Sequence, residues 1–248
     1  QHGFVGSPVL ADLDADGDLE VIAAAMDRHV YAWHHDGRVV RGFPVLVVDP
    51  SKVESIDPDS HQVRFGARAG KALDQGAIVD TPAVGDLTGD GRPEIVVGTN
   101  EEYDVGAPGE GGLNAGNLNT TLASVIGLTG LLDFANGRLY AIKPTGDADP
   151  STPEPDDAFL DGWPVKMGRV MAELLPVVGE GVTGSPVIGP VDCPHGGRGK
   201  KVGAIADAGV GYVLNPDGSS CYGADPTNGR HVALASDLAV AAGELDLP

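Results

Sequence analysis

Asp12-Leu13-Asp14-Ala15-Asp16-Gly17-Asp18-Leu19-Glu20 and Asp86-Leu87-Thr88-Gly89-Asp90-Gly91-Arg92-Pro93-Glu94 are two acidic loops of one design, each set between strand-like segments. In both, oxygen-bearing side chains stand at loop positions 1, 3, 5 and 9, and glycine stands at position 6. This spacing is a calcium pattern. Calcium is a hard cation that takes about 6–8 oxygen ligands at roughly 2.3–2.6 Å, so a loop must turn several oxygens inward within a few residues. Alternate positions 1, 3 and 5 do so when the backbone curls, and glycine at position 6 permits the sharp turn that follows. Position 7, Asp18 or Arg92, offers its backbone carbonyl, which explains why an arginine is tolerated there.

An EF-hand needs a bidentate Glu at position 12 and flanking helices. Position 12 is Ala23 in the first loop and Val97 in the second, and the segments that follow, Val21-Ile22-Ala23-Ala24-Ala25 and Ile95-Val96-Val97-Gly98-Thr99, read as buried strands. The loops therefore belong to β-hairpins.

A longer repeat surrounds them. Gly6-Ser7-Pro8-Val9-Leu10 precedes the first loop, Asp80-Thr81-Pro82-Ala83-Val84 the second, and Gly184-Ser185-Pro186-Val187-Ile188 opens a third copy. Downstream, tyrosine segments around Tyr31, Tyr140 and Tyr212 match one another, and Gly42-Phe43-Pro44-Val45 recurs as Gly162-Trp163-Pro164-Val165. Each unit predicts four strands: before the loop, after it, through the tyrosine, and at the aromatic-Pro-Val. A four-stranded unit repeated along a chain is the pattern of a β-propeller blade.

Loops and repeat together resemble the FG-GAP or VCBS-type repeat family, the blades of integrin α-subunit propellers and of many bacterial secreted proteins. The resemblance covers most of residues 4–222 and is specific at the loops. It implies side-chain ligands Asp12, Asp14, Asp16 and Glu20 in one blade and Asp86, Thr88, Asp90 and Glu94 in the next, with Asp18 and Arg92 at the carbonyl position and one calcium per loop. The third copy departs from the family: Pro190 falls opposite Asp12, and Asp192 to Lys201 holds one carboxylate and three cations, so no calcium is expected there. Both cysteines, Cys193 and Cys221, lie in this blade. Meander order brings their loops to one end, which predicts a disulfide in place of the missing metal.

The expected fold is all-β, a partial propeller over residues 1–248. Blades run over 4–45, 80–165 and 183–222, with a long connection at 46–79, an insertion at 101–136, and a connection at 223–248 toward a further blade. The last stretch includes an expected helix from His231 to Ala242. Propellers close with about 4–8 blades; three are legible, so the remainder is expected from further sequence or another subunit. Thirty-seven glycines and 19 prolines fit a chain of tight turns. A net charge of −20 opposes nucleic acid or an anionic membrane as partner, and no apolar run of spanning length occurs. The start at Gln1, beside strand-like sequence, reads as a processed chain or an excised fragment.

Connection and insertion emerge at the end opposite the calcium loops, where the resemblance places ligand contacts. Within the insertion, Thr120 or Thr121 caps an expected short helix through Leu122, Val125, Ile126 and Leu132, and Asn119 opens a glycosylation sequon. No catalytic constellation emerges. Ser185 is a repeat feature shared with Ser7, His34, His35 and Asp36 sit at a hairpin turn, and Tyr31, Trp33, Tyr140 and Tyr212 read as core. The reading is an extracellular calcium-stabilised binding, adhesion or assembly module rather than an enzyme, with a protein or glycan ligand. The alternatives are the propeller part of a secreted hydrolase or polysaccharide lyase, and a subunit of a surface filament or layer.

Overall fold

The computed structural model describes residues 3–57, 63–66, 69, 72–103, 137–147, 155–167, 181–206, 210–223 and 235–236. The helix and sequon expected around Asn119 to Leu132 lie outside them.

Among these residues the chain is all-β. The first sheet is an antiparallel meander of β1 (Val9–Ala11), β2 (Glu20–Ala24), β3 (His29–Trp33) and β4 (Val45–Leu46). The connection that follows forms a small hairpin, β5 (Val53–Ile56) with β6 (Val63–Phe65), and then β7 (Ala72–Gln75). The second sheet contains β8 (Ala83–Gly85) and β9 (Glu94–Thr99); the chain leaves it through β10 (Glu101–Tyr103) and returns with β11 (Arg138–Ile142) and β12 (Val165–Lys166). The third contains β13 (Val187–Cys193), β14 (Gly197–Ile205), β15 (Val210–Leu214) and β16 (Ala235–Ser236). The first strands of neighbouring sheets touch, β1 on β8 and β8 on β13. Three meanders joined side by side through their first strands are a partial β-propeller.

One expectation is corrected in the third blade. Its fourth strand is β16, paired with β15 at Gly211 and Val210, so the blade extends past residue 222 and Ala235–Ser236 are extended rather than helical. The turn at Ser220 closes only an isolated bridge to Leu214, which leaves the fourth edge to a later segment.

Blade contacts explain the repeated motifs. The Thr81 amide donates to the Ser185 hydroxyl at 3.0 Å, and the Ser7 amide donates to the Thr81 hydroxyl at 2.9 Å. Each Ser/Thr thus staples the preceding blade, which accounts for Ser185 without a nucleophile. Glycines meet at the next level. A Cβ on Gly42 would lie 2.0 Å from the Thr145 carbonyl oxygen, and one on Gly162 would lie 2.0 Å from that of Asp217. The Trp163 indole closes the same boundary, donating to the Pro216 carbonyl at 2.9 Å. Phe43 and Trp163 are both buried, as their repeat position predicts.

Burial follows position in the row of blades. The middle blade is covered on both faces: all residues of β9 and β11 are buried. The outer blades are covered on one. Tyr140 and Tyr212 are core, whereas Tyr31, at the same repeat position, and Trp33, at the position of the buried Ile142 and Leu214, are half-buried. They stack on each other at 5.5 Å with Phe4 edge-on, and Phe4 and Leu10 remain exposed beside them. The expectation that all four repeat aromatics are core therefore fails in the first blade, where no described element covers that face. Val187 and Ile205 are exposed on the third blade.

Candidate calcium loops

The first loop begins where β1 ends. Ala15 and Gly17 take positive φ angles of 63° and 95°, curling the backbone around Asp12 and Asp14. The Asp12 carboxylate accepts the amides of Asp16 at 3.2 Å and Gly17 at 3.0 Å, and Asp16 accepts that of Asp18 at 2.8 Å. Asp12, Asp14 and Asp16 each bring a carboxylate oxygen within 4.8 Å of the others. Like charges gathered this closely repel, and a bound cation relieves that repulsion.

Glu20 has a different part. It is wholly buried, and its Oε2 accepts the Leu13 amide at 2.8 Å. Its Oε1 lies 3.1 Å from His34 Nδ1, and Asp14, Glu20 and His34 form a second group with ligand atoms within 4.8 Å. Glu20 therefore ties the loop backbone to the start of β2 while turning one oxygen toward Asp14. In sequence His34 shows only as a hairpin-turn residue, because a contact across 14 positions leaves no local signal. His35 lies 3.4 Å from Asp18 at the exposed rim.

The second loop repeats the backbone and loosens the chemistry. Gly89 and Gly91 have φ angles of 83° and 91°, and Asp86 accepts their amides at 2.7 and 3.2 Å. Asp90 accepts the Arg92 amide at 2.8 Å. Glu94, buried like Glu20, accepts the amides of Leu87 at 2.7 Å and Thr88 at 3.2 Å, and also the Thr88 hydroxyl at 3.1 Å. Thr88 and Glu94 are thus engaged with each other. Among the described residues, no trio of His, Cys, Asp or Glu side chains gathers in this loop. The Arg92 guanidinium reaches the preceding blade, donating to the Leu13 carbonyl at 3.1 and 3.3 Å.

The third blade has no such loop. β13 and β14 stay paired as far as Cys193 and Gly197, and Cys193 is bonded to Cys221 with 5.1 Å between Cα atoms. Asp192 pairs with Arg198 at the exposed surface.

At the opposite end, the connection and the insertion meet. β7 and β10 pair antiparallel, and Arg138 donates to Asp49 at 2.9 Å. Glu101 is fully buried, accepting the Asp49 amide at 3.0 Å and the Tyr140 and Thr99 hydroxyls. Asp80 is a further buried acid. One oxygen accepts the Gly98 amide at 2.8 Å, the other is buried without a partner, and burial raises its pKa from 3.8 to about 7.

No protein-family model matches this chain, and no curated protein matches it. Among solved structures it is similar to the quinohemoprotein alcohol dehydrogenase of Comamonas testosteroni, with 14% identity and a TM-score of 0.46 over 94% of this chain and 32% of that one. It is also similar to quinohemoprotein alcohol dehydrogenase ADHIIG of Pseudomonas putida HK5, with 15% identity and a TM-score of 0.32 over 81% of this chain and 34% of that one. The chain spans about a third of the length of these proteins.

Proposed function

We propose that the chain is part of an extracellular, calcium-stabilised β-propeller that serves as a binding or assembly module. The observation that carries this reading is the convergence of Asp12, Asp14 and Asp16 on a loop whose backbone is already held by the buried Glu20. Calcium there is structural: it neutralises three carboxylates and fixes the first hairpin of its blade. The second loop takes calcium more weakly, because Thr88 and Glu94 satisfy each other. The Cys193–Cys221 disulfide supports an oxidising, extracellular setting, and no helix among the described residues is long and apolar enough to cross a membrane.

The open aromatic face of Phe4, Tyr31 and Trp33 favours assembly with a further blade, since the matching face is buried wherever a preceding blade exists. The joined connection and insertion supply the variable end for a protein or glycan partner. The test is thermal unfolding with calcium and with a chelator, alongside metal analysis. Calcium-dependent stabilisation with the greater part lost in Asp12→Asn supports the reading; identical melting in both conditions overturns it.

A further inference from the structure

The two outer faces of the row of blades match the two sides of its inner boundaries. Ile22 pairs with Val9, Val96 with Ala83 and Gly203 with Val187, so strand register makes these pairs equivalent in the three blades. Two residues further along the second strand, Ala24, Gly98 and Ile205 share a position on the same face. In the first two blades a following blade covers that face, and Ile22, Ala24, Val96 and Gly98 are buried. In the third no described element covers it, and Val187 and Ile205 are 63% and 64% exposed. The other face shows the reverse. Ile188 packs toward the second blade, where a Cβ on Gly85 would lie 3.4 Å from its Cγ2. Leu10 holds the position of Ile188 in the first blade, in one cross-strand row with Val21 and Trp33, and is 61% exposed.

Polar contacts run in one direction along the row. The Ser7 amide donates to Thr81 and the Thr81 amide to Ser185, so each blade donates to the one that follows. Among the described residues this ladder ends in a Ser7 hydroxyl with no donor and a Ser185 amide with no acceptor. The loops also reach across boundaries: Arg92 donates back to the Leu13 carbonyl of the preceding blade. In the first blade the place of Arg92 is taken by Asp18, and in the third the place of Leu13 is taken by Val191. Exposed Lys200 and Arg198 flank Val191 across the third hairpin. An acid thus stands on the outer edge of the first blade, and cations stand on the outer edge of the third.

Resting on the propeller reading above, we propose that two copies of this chain join head to tail and close one six-bladed ring, the first-blade face of each against the third-blade face of the other. Leu10, Tyr31 and Trp33 of one copy then cover Val187, Gly203 and Ile205 of the other, and both exposed apolar faces leave water. The Ser185 amide of each copy meets the Ser7 hydroxyl of the other, which continues the ladder around the ring. Asp18 comes opposite Lys200 and Arg198, so the boundary between copies is complementary in charge. Closure sets the number of copies. Head-to-tail contacts make a ring where the rotation closes, and propellers close with about 4–8 blades. The described residues form three four-stranded blades per chain, so two copies fall within that range and one or three do not.

Sedimentation velocity of the full chain, in saturating calcium and about 0.15 M salt, tests the closure. A particle of twice 25.3 kDa that grows no larger with concentration is expected. Leu10→Lys and Ile205→Asp alter exposed side chains and spare the fold, but each spoils both contacts of its own dimer. Either alone should need about tenfold more protein, or beyond, to associate. Mixed in equal amounts the two variants should regain the dimer, because one contact then joins unaltered faces and the other sets opposite charges on its two sides. A monomeric parent, growth beyond the dimer, a dimer indifferent to Ile205→Asp, or no recovery in the mixture overturns the proposal. Melting of the same samples with calcium and with a chelator keeps the two readings apart. A monomeric parent that calcium still stabilises overturns the closure alone, and one that calcium leaves unchanged overturns the calcium-stabilised propeller as well.

Discussion

Replacing Asp80 by Asn tests the buried acid between the first two blades. The first and third repeats carry Gly6 and Gly184 where the second carries Asp80, whose carboxyl lies in the protein interior with one oxygen on the Gly98 amide. Burial raises its pKa from 3.8 to about 7. A carboxyl with a folded-state pKa above its unfolded-state value is protonated in the folded chain where the unfolded chain is ionised. Folding therefore takes up a proton between about pH 4 and pH 7, and stability falls as pH rises through that window before levelling off above it. A difference of roughly three pH units corresponds to roughly 4 kcal/mol. Asn cannot ionise, so the stability of Asp80→Asn relative to the parent should rise by up to about 4 kcal/mol between pH 4 and pH 8. Any constant cost of the new amide cancels in that change. Urea unfolding followed by the fluorescence of Trp33 and Trp163, at matched saturating calcium, measures it. A difference that stays constant with pH would refute the reasoning, because Asp80 would then ionise alike in both states.

Three further outcomes follow from the same contacts. Asp12→Asn should remove most of the calcium-induced rise in melting temperature, which corresponds to about 2.7 kcal/mol when free calcium is about a hundred times its dissociation constant; Asp86→Asn should remove less, as differential scanning calorimetry would show. Cys193→Ser with Cys221→Ser opens a link between residues 28 apart and should cost roughly 2–4 kcal/mol in urea unfolding; reducing the parent should cost the same. Trp163→Phe keeps the ring but orphans the Pro216 carbonyl, so a loss of about 1–3 kcal/mol is expected, and a loss near zero would mean that water replaces the indole.

The chain's loops, blades and cysteine pairing were legible in one dimension because each is a local or periodic property. Position 6 glycine, alternating acids and strand-length apolar runs act within ten or so residues, and repetition exposes the unit. Equivalence in the repeat is not equivalence in environment, and that part belonged to the tertiary structure. Tyr31 and Tyr140 share a position, yet a neighbouring sheet covers only Tyr140. Glu20 and Glu94 sit at the spacing of calcium ligands, yet both turn toward the loop amide at position 2, since a buried carboxylate needs donors and the hairpin puts one within reach. The fourth strand of the third blade comes from Ala235–Ser236 because a free sheet edge takes whichever segment the chain returns to it. The placing of Lys201 and Asn215 around one cavity depends on strand register and side-chain direction. Those are fixed only when the sheets pack, and composition carries no trace of them.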